Sequence, residues 1–160
     1  MGLTREEMDR IVDQHFAFEA TDDVDGVLGS LAEGAEHEIV PSPMGKLTDR
    51  AGIRRFYELL FRDLKGEGVT PLRRLYGDGF VVDETVWHGR IADGRQFLCG
   101  GRSGPVSFRL LHIFEFRDGK IAREDVWCDL AAIQRQLGCA PEGSQAAASA
   151  APATAGSGPS

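Results

Sequence analysis

From Val69 onward the apolar residues of this chain recur at every second position, in runs broken by glycine-rich turns. A period of two is that of a β-strand with one buried face. The spacing predicts strands over 69–76, 79–91, 95–99, 105–117 and 120–128, separated by "GDG", "ADGR", "GGRSG" and "RDGK". Short turns of this kind join antiparallel neighbours, so a meander is expected. The run "FRLLHIFEFRDGK" is the clearest case: Phe108, Leu110, Phe114 and Phe116 share one face, and His112 is that face's polar member. A buried imidazole with no partner costs about 1–3 kcal/mol, so His112 has to be paired, or face a cavity, or be tolerated.

Ahead of the strands the period is helical. In "TREE", Thr4 and Glu7 form a capping box, followed by an apolar stripe at Met8, Ile11, Val12 and Phe16 that includes His15. A second helix, capped by Thr21 or Asp22, carries Val24, Val27, Leu28 and Leu31 and is expected to end at Gly34. "HEIV" reads as a short strand stopped by Pro41 and Pro43. The third helix starts near Asp49, repeats Ile53, Phe56, Tyr57, Leu60, Phe61 and Leu64 on one face, and is expected to stop at Gly66. A last short helix runs from Asp129 to Leu137 and closes on Gly138. Residues 1–138 therefore form one domain. Residues 139–160, rich in Ala, Gly, Ser and Pro and lacking large apolar side chains, are expected to be a disordered tail.

Composition narrows the function. A formal charge of −7 leaves no basic surface for nucleic acid or an anionic membrane. Neither a leader-like apolar segment nor a run long enough to span a bilayer is present, which reads as a soluble protein. Cys99, Cys128 and Cys139 are odd in number and lack paired spacing, so neither a disulfide framework nor a zinc site is expected, and a reducing cytoplasm fits. Arginine far outnumbers lysine, as in a GC-rich bacterial gene. No cofactor is indicated, and no local spacing supports a metal site from His15, His37 and His112.

Helices first and a curved antiparallel sheet afterwards specify an α+β domain with helices on one sheet face. The order of elements, with "GIRRFYELLF", "HIFEFRDGKI" and "DLAAIQRQLG", resembles the SnoaL-like branch of the NTF2-like superfamily over about residues 4–138. The resemblance implies a cone-shaped NTF2-like domain, an apolar pocket between helices and sheet, and usually a homodimer. It spans ketosteroid isomerases, polyketide cyclases, limonene-type epoxide hydrolases and members without chemistry, so fold does not fix activity. Laid on the isomerases, His15 stands where a helix-one tyrosine donates to the oxyanion, His112 where a protonated aspartate does, and Tyr57 where a supporting tyrosine does. The isomerase base falls on Ile39 or Val40, with His37 sharing the Ile39 face. Laid on the cyclases and hydrolases, the essential aspartate falls on Val126 and a trailing one on Asp129. Asp125 replaces the former only through a one-residue bulge.

The candidate catalytic residues are therefore His15, His112, Tyr57 and Asp129, with His37, Phe108, Leu110, Phe114 and Trp127 as candidate ligand-binding residues. Imidazoles in an apolar pocket suit proton transfer next to a carbonyl on an apolar polyketide, steroid or terpenoid-like substrate of secondary metabolism. The alternative is a non-catalytic binding or accessory protein, favoured by Val126 and Ile39. Each candidate also has a plainer role: His15 bonding Glu19, His112 bonding Tyr57 or water, and Asp129 capping a helix. On the opposite face of the central strand, Leu111 and Ile113 sit between polar ends, which points to a homodimer through the sheet.

Overall fold

The structure, a computed structural model, describes residues 2–42 and 44–139. Four helices, α1 (Arg5–Ala20), α2 (Val24–Ser30), α3 (Arg50–Asp63) and α4 (Leu130–Leu137), pack on five strands, β1 (Leu31–Val40), β2 (Leu64–Gly77), β3 (Phe80–Ile91), β4 (Gly104–Arg117) and β5 (Lys120–Cys128). The sheet order is β1-β5-β4-β3-β2. Strands β2 to β5 form the expected antiparallel meander, while β1 joins the far edge parallel to β5 and makes the sheet mixed. This is the α+β NTF2-like architecture.

Capping explains where the helices begin. Thr4 and Glu7 close the capping box on α1. Asp23, Asp49 and Asp129 each accept a backbone N–H three residues on, at 2.8, 2.8 and 2.9 Å. The α2 cap is thus Asp23, not Thr21 or Asp22; Thr21 instead ends α1. Helix α2 also stops early, at Ser30, and Leu31 already belongs to β1. Gly34 lies inside that strand at φ +64°, where the β1–β5 register shifts between Leu31 and Glu36. The left-handed conformation that ends many helices here serves a bulge. Likewise α3 ends at Asp63 and β2 starts at Leu64, so Gly66 is a strand residue. The strand expected over 95–99 is a 3₁₀ turn, Arg95–Phe97, with Leu98 left-handed behind it.

The helices cover one sheet face through two apolar clusters. One joins Met8, Val12, Leu28, Ile53, Phe56 and Tyr57 to Val81, Phe114 and Ile121. The other joins Ile133 and Leu137 of α4 to Ile91, Phe97, Val106 and Phe108. His112 lies between Phe108 and Phe114 along the inner face of β4, where the two clusters meet. Among the described residues no helix is long and apolar enough to cross a membrane.

The cysteine expectation is corrected. Cys99 and Cys139 are bonded across a sequence separation of 40, because α4 returns the chain to the loop after β3. Cys139, assigned from sequence to the tail, packs against the second cluster, and its amide donates to Gln134 O. Residues 140–160, the rest of the expected tail, lie outside the described residues. The inference of a reducing compartment rested on unpaired cysteines and loses that premise. Closing a loop of this length stabilises a fold by about 2–4 kcal/mol. Cys139→Ser is expected to lower stability by about that amount in non-reducing denaturant titrations. Added reductant should reproduce the loss in the wild type and leave the variant unchanged.

Candidate active site

The inner face holds several polar side chains, and the most buried of them is Glu124, 1% exposed. Its orientation depends on a register shift in β5: Glu115 pairs with Arg123 but Phe116 with Ile121, leaving Ala122 as the extra residue. Ile121, Glu124 and Val126 all turn inward as a result. Three elements meet the carboxylate. The Tyr57 hydroxyl of α3 donates to Oε2 at 3.0 Å. His15 of α1 places Nε2 3.3 Å from the same oxygen. His37 of β1, the register partner of Glu124, has Nδ1 3.2 Å from the Glu124 carbonyl oxygen and 3.5 Å from Oε2.

Neighbours assign the protons. Ser30 Oγ donates its hydrogen to Val27 O at 2.6 Å, so it accepts from His15 Nδ1–H at 2.8 Å. The other His15 nitrogen faces Glu124 and, 3.4 Å away, Glu19. A bare lone pair between two carboxylates is repelled, so that nitrogen also carries a proton. Burial alone would lower the His15 pKa, but the Glu124 charge, helped by hydrogen bonds to Glu124 and Glu19, outweighs it and raises the value to about 10. Burial likewise works against the Glu124 charge, and the adjacent histidines overcome it and hold the carboxyl well below its usual range. For Tyr57, burial and the Glu124 charge act together and push the phenol well above its ordinary value.

His112 is different. It is 6% exposed and makes no hydrogen bond among the described residues, and its Nδ1 is buried without a partner. The ring stacks on Phe114 at 5.6 Å and meets the edge of Phe16 at 5.1 Å. Burial lowers its pKa, which keeps the imidazole neutral. Across the ladder its partner is Asp83, also buried. Arg74 Nε donates to Asp83 Oδ2 at 2.6 Å while Oδ1 has no partner, and Arg74 is itself fixed by Asp9 and Asp13 of α1.

The candidate residues thus divide. His15, His37 and Tyr57 converge on Glu124, while His112, Phe114 and Phe108 line the same inner face and Leu110 shares its parity, half buried. Trp127 does not join them: with Val126 inward it falls on the outer face, 50% exposed, opposite Leu111 and Val40. Asp129 caps α4. Asp125 also points outward, paired with Arg123 Nε at 2.8 Å, because the bulge lies before Glu124 rather than at Asp125. Glu124 and Asp83 were missed by sequence reasoning. A glutamate in "REDVW" looks like part of a solvated charged run, and only a bulge turns it inward. Asp83 shares the parity of Val81 and Thr85, a signal that was present in the β3 pattern.

The His112 environment sets a pH dependence. Its folded pKa lies below the ordinary 6.5 of the unfolded chain, so the unfolded state binds the proton first as pH falls. Its contribution is therefore whole above about 6.5 and is lost progressively below that value. The His112 ring signals in an NMR titration should show a midpoint below 6.5. Unfolding free energy should fall more steeply with acid in the wild type than in His112→Leu. Parallel pH profiles would show that His112 is solvated.

The family model for the SnoaL-like domain matches residues 12–124. No curated protein matches the chain. TsrD from Streptomyces laurentii is similar in structure, with 21% identity, a TM-score of 0.67, and coverage of 86% of this chain and 98% of that one. A candidate polyketide cyclase from Xanthomonas campestris pv. campestris shares 19% identity at a TM-score of 0.64, covering 83% and 98%. An LEH-like epoxide hydrolase from M. tuberculosis shares 23% at 0.60, covering 82% and 90%. At these identities the structural likeness is one of fold. The sequence match runs from helix α1 through the inward glutamate of β5, and by it this chain belongs to the SnoaL-like domain family.

Proposed function

We propose that the domain is a small-molecule enzyme of isomerase or cyclase type, moving a proton next to a carbonyl on an apolar, polyketide-, steroid- or terpenoid-like substrate of secondary metabolism. One observation carries this reading: His112 Nδ1 and Asp83 Oδ1, on paired residues of adjacent strands, are both buried and without partners. Buried polar atoms in native proteins are rarely left unpaired, and a catalytic role is one of the explanations for the exceptions. A neutral imidazole can donate to a carbonyl oxygen as it gains charge, and a carboxylate can take the adjacent carbon-bound proton. The phenylalanines beside His112 supply apolar walls. The His15–Glu124–Tyr57 group positions α1 and α3 over the sheet. Activities named for two structural neighbours, polyketide cyclase and epoxide hydrolase, also concern small organic substrates.

A second reading, a binding or accessory protein, is favoured by Val126 and Ile39 at positions where the family resemblance implies aspartates. The two readings separate in a solvent-deuterium exchange assay on apolar cyclic ketones followed by mass spectrometry. The enzyme reading expects exchange by the wild type that falls at least about tenfold in Asp83→Asn and in His112→Leu. Binding of the ketones without exchange supports the accessory role.

We infer that the protein assembles as a homodimer through the outer sheet face. Leu111 and Ile113 lie there beside Trp127 and Leu75, which are 50% and 49% exposed. Arg73 and Arg109, both bonded to Glu84, border this apolar area. An apolar centre with a polar border is the usual anatomy of a symmetric interface. Leu111→Glu is expected to yield monomers in analytical ultracentrifugation while leaving ketone exchange chemistry intact in each subunit. A monomeric wild type at micromolar concentration rejects the interface.

A further inference from the structure

The spacing around His15 is unusual for hydrogen bonding. Charge-assisted N–H···O bonds settle at about 2.7–2.9 Å. Here Nε2 stands 3.3 Å from Glu124 Oε2 and 3.4 Å from Glu19 Oε1. Such separations match the edges of a tetrahedron around an ion with ligands at about 2.0–2.2 Å, which are about 3.4 Å long. The three donor atoms all lie within 4.8 Å of one another, so closure onto one ion needs a modest rotation of the partly exposed Glu19. From this geometry we propose that His15, Glu19 and Glu124 form a binding site for a divalent transition metal ion of the zinc type.

Four further observations fit. His15 Nδ1 donates to Ser30 Oγ, which donates to Val27 O, and this chain leaves Nε2 as the nitrogen directed at the carboxylates. Metal-bound histidines are held in this way through their second nitrogen. Glu124 is itself steadied by the Tyr57 hydroxyl, and its other oxygen, Oε1, is buried with no partner among the described residues. That orphan oxygen shows that the protein's own donors do not fill the capacity of the Glu124 carboxylate. His15 and Glu19 are four residues apart on α1, so one helix face presents both. Finally, two carboxylates and one imidazolium leave an excess negative charge in a largely buried place; a divalent ion replacing the imidazolium proton balances two carboxylates exactly in number. Imidazole nitrogen and the short ligand spacing favour zinc-type ions over calcium, whose ligands are all oxygens and lie further out. Three protein ligands leave a fourth position for water or a ligand oxygen. The proposal does not depend on the proton-transfer role of His112 and Asp83.

The test uses the full chain after chelator treatment and dialysis. Calorimetric titration with zinc chloride should give one site per chain, weakened at least about tenfold in Glu19→Gln. His88→Ala, on the outer face, should bind as the wild type does. Cobalt(II) should give the intense visible absorption of a tetrahedral site in the wild type and not in Glu19→Gln, a signature that a merely structural ion pair would not produce. Glu19 is partly exposed, so its variant is expected to fold, which circular dichroism checks. Absence of binding at millimolar zinc overturns the site, as does equal binding by Glu19→Gln or a cobalt spectrum unchanged by it. These readouts need no substrate, so the site can fail while the ketone exchange reading stands, and the reverse.

Discussion

A carboxylate closed inside an apolar domain is stable only if its charge is met, and the interior of this protein is arranged around meeting that of Glu124. An isolated buried ion costs several kcal/mol even after relaxation. Here β5 supplies the carboxylate, α1 the His15 cation, α3 the Tyr57 hydroxyl, and β1 the His37 ring. Those elements are far apart in sequence, so the cluster exists only when helices and sheet edge are all in place. A pair of this kind adds less to net stability than apolar residues of equal volume would, while loss of one partner is severe. Its gain is in specificity: one register of β5 and one placement of α1 satisfy it.

That dependence explains what the sequence conveyed. Periodicity acts over a few residues, so α1, α3, β4 and the inward position of His112 could be read from local spacing. Capping acts over three residues, so the starts of α3 and α4 could be read as well. The misreadings involve the same signals serving other ends. Gly34 in a left-handed conformation suits a helix end and a strand bulge equally, and tertiary pairing of β1 with β5 selects the bulge. The parallel pairing of β1 and the Cys99–Cys139 bond both join residues remote in sequence, which no local pattern reports.

The candidate site was half legible for the same reason. His15 and His112 stood out because each interrupts an apolar stripe, and Tyr57 and His37 through the positions the family resemblance assigns them. Glu124 did not, since it lies among Arg123 and Asp125 in a charged run, and its inward turn depends on the single extra residue Ala122. The same bulge decides Trp127. Without it Trp127 would share the inner face; with it the ring goes to the outer face beside Leu111.

One irregularity in β5 therefore sets the chemistry of both faces. Inside, it exchanges a position that would carry Asp125 for one that carries Glu124, and sets Val126, with no acid, beside His112. The carboxylate directly across the ladder from His112 then comes from β3, as Asp83, while β5 presents Val126 there. Outside, it places an indole in the middle of an aliphatic strip that solvent alone would not favour. The inward acid of β5 is Glu124, across from Phe114 rather than from His112, where three side chains already hold it. The two halves of the inner face are thus held differently: Glu124 is gripped by His15, His37 and Tyr57 from three elements, while the neutral His112 ring lies among phenylalanines with only Asp83, itself bonded to Arg74, across the ladder.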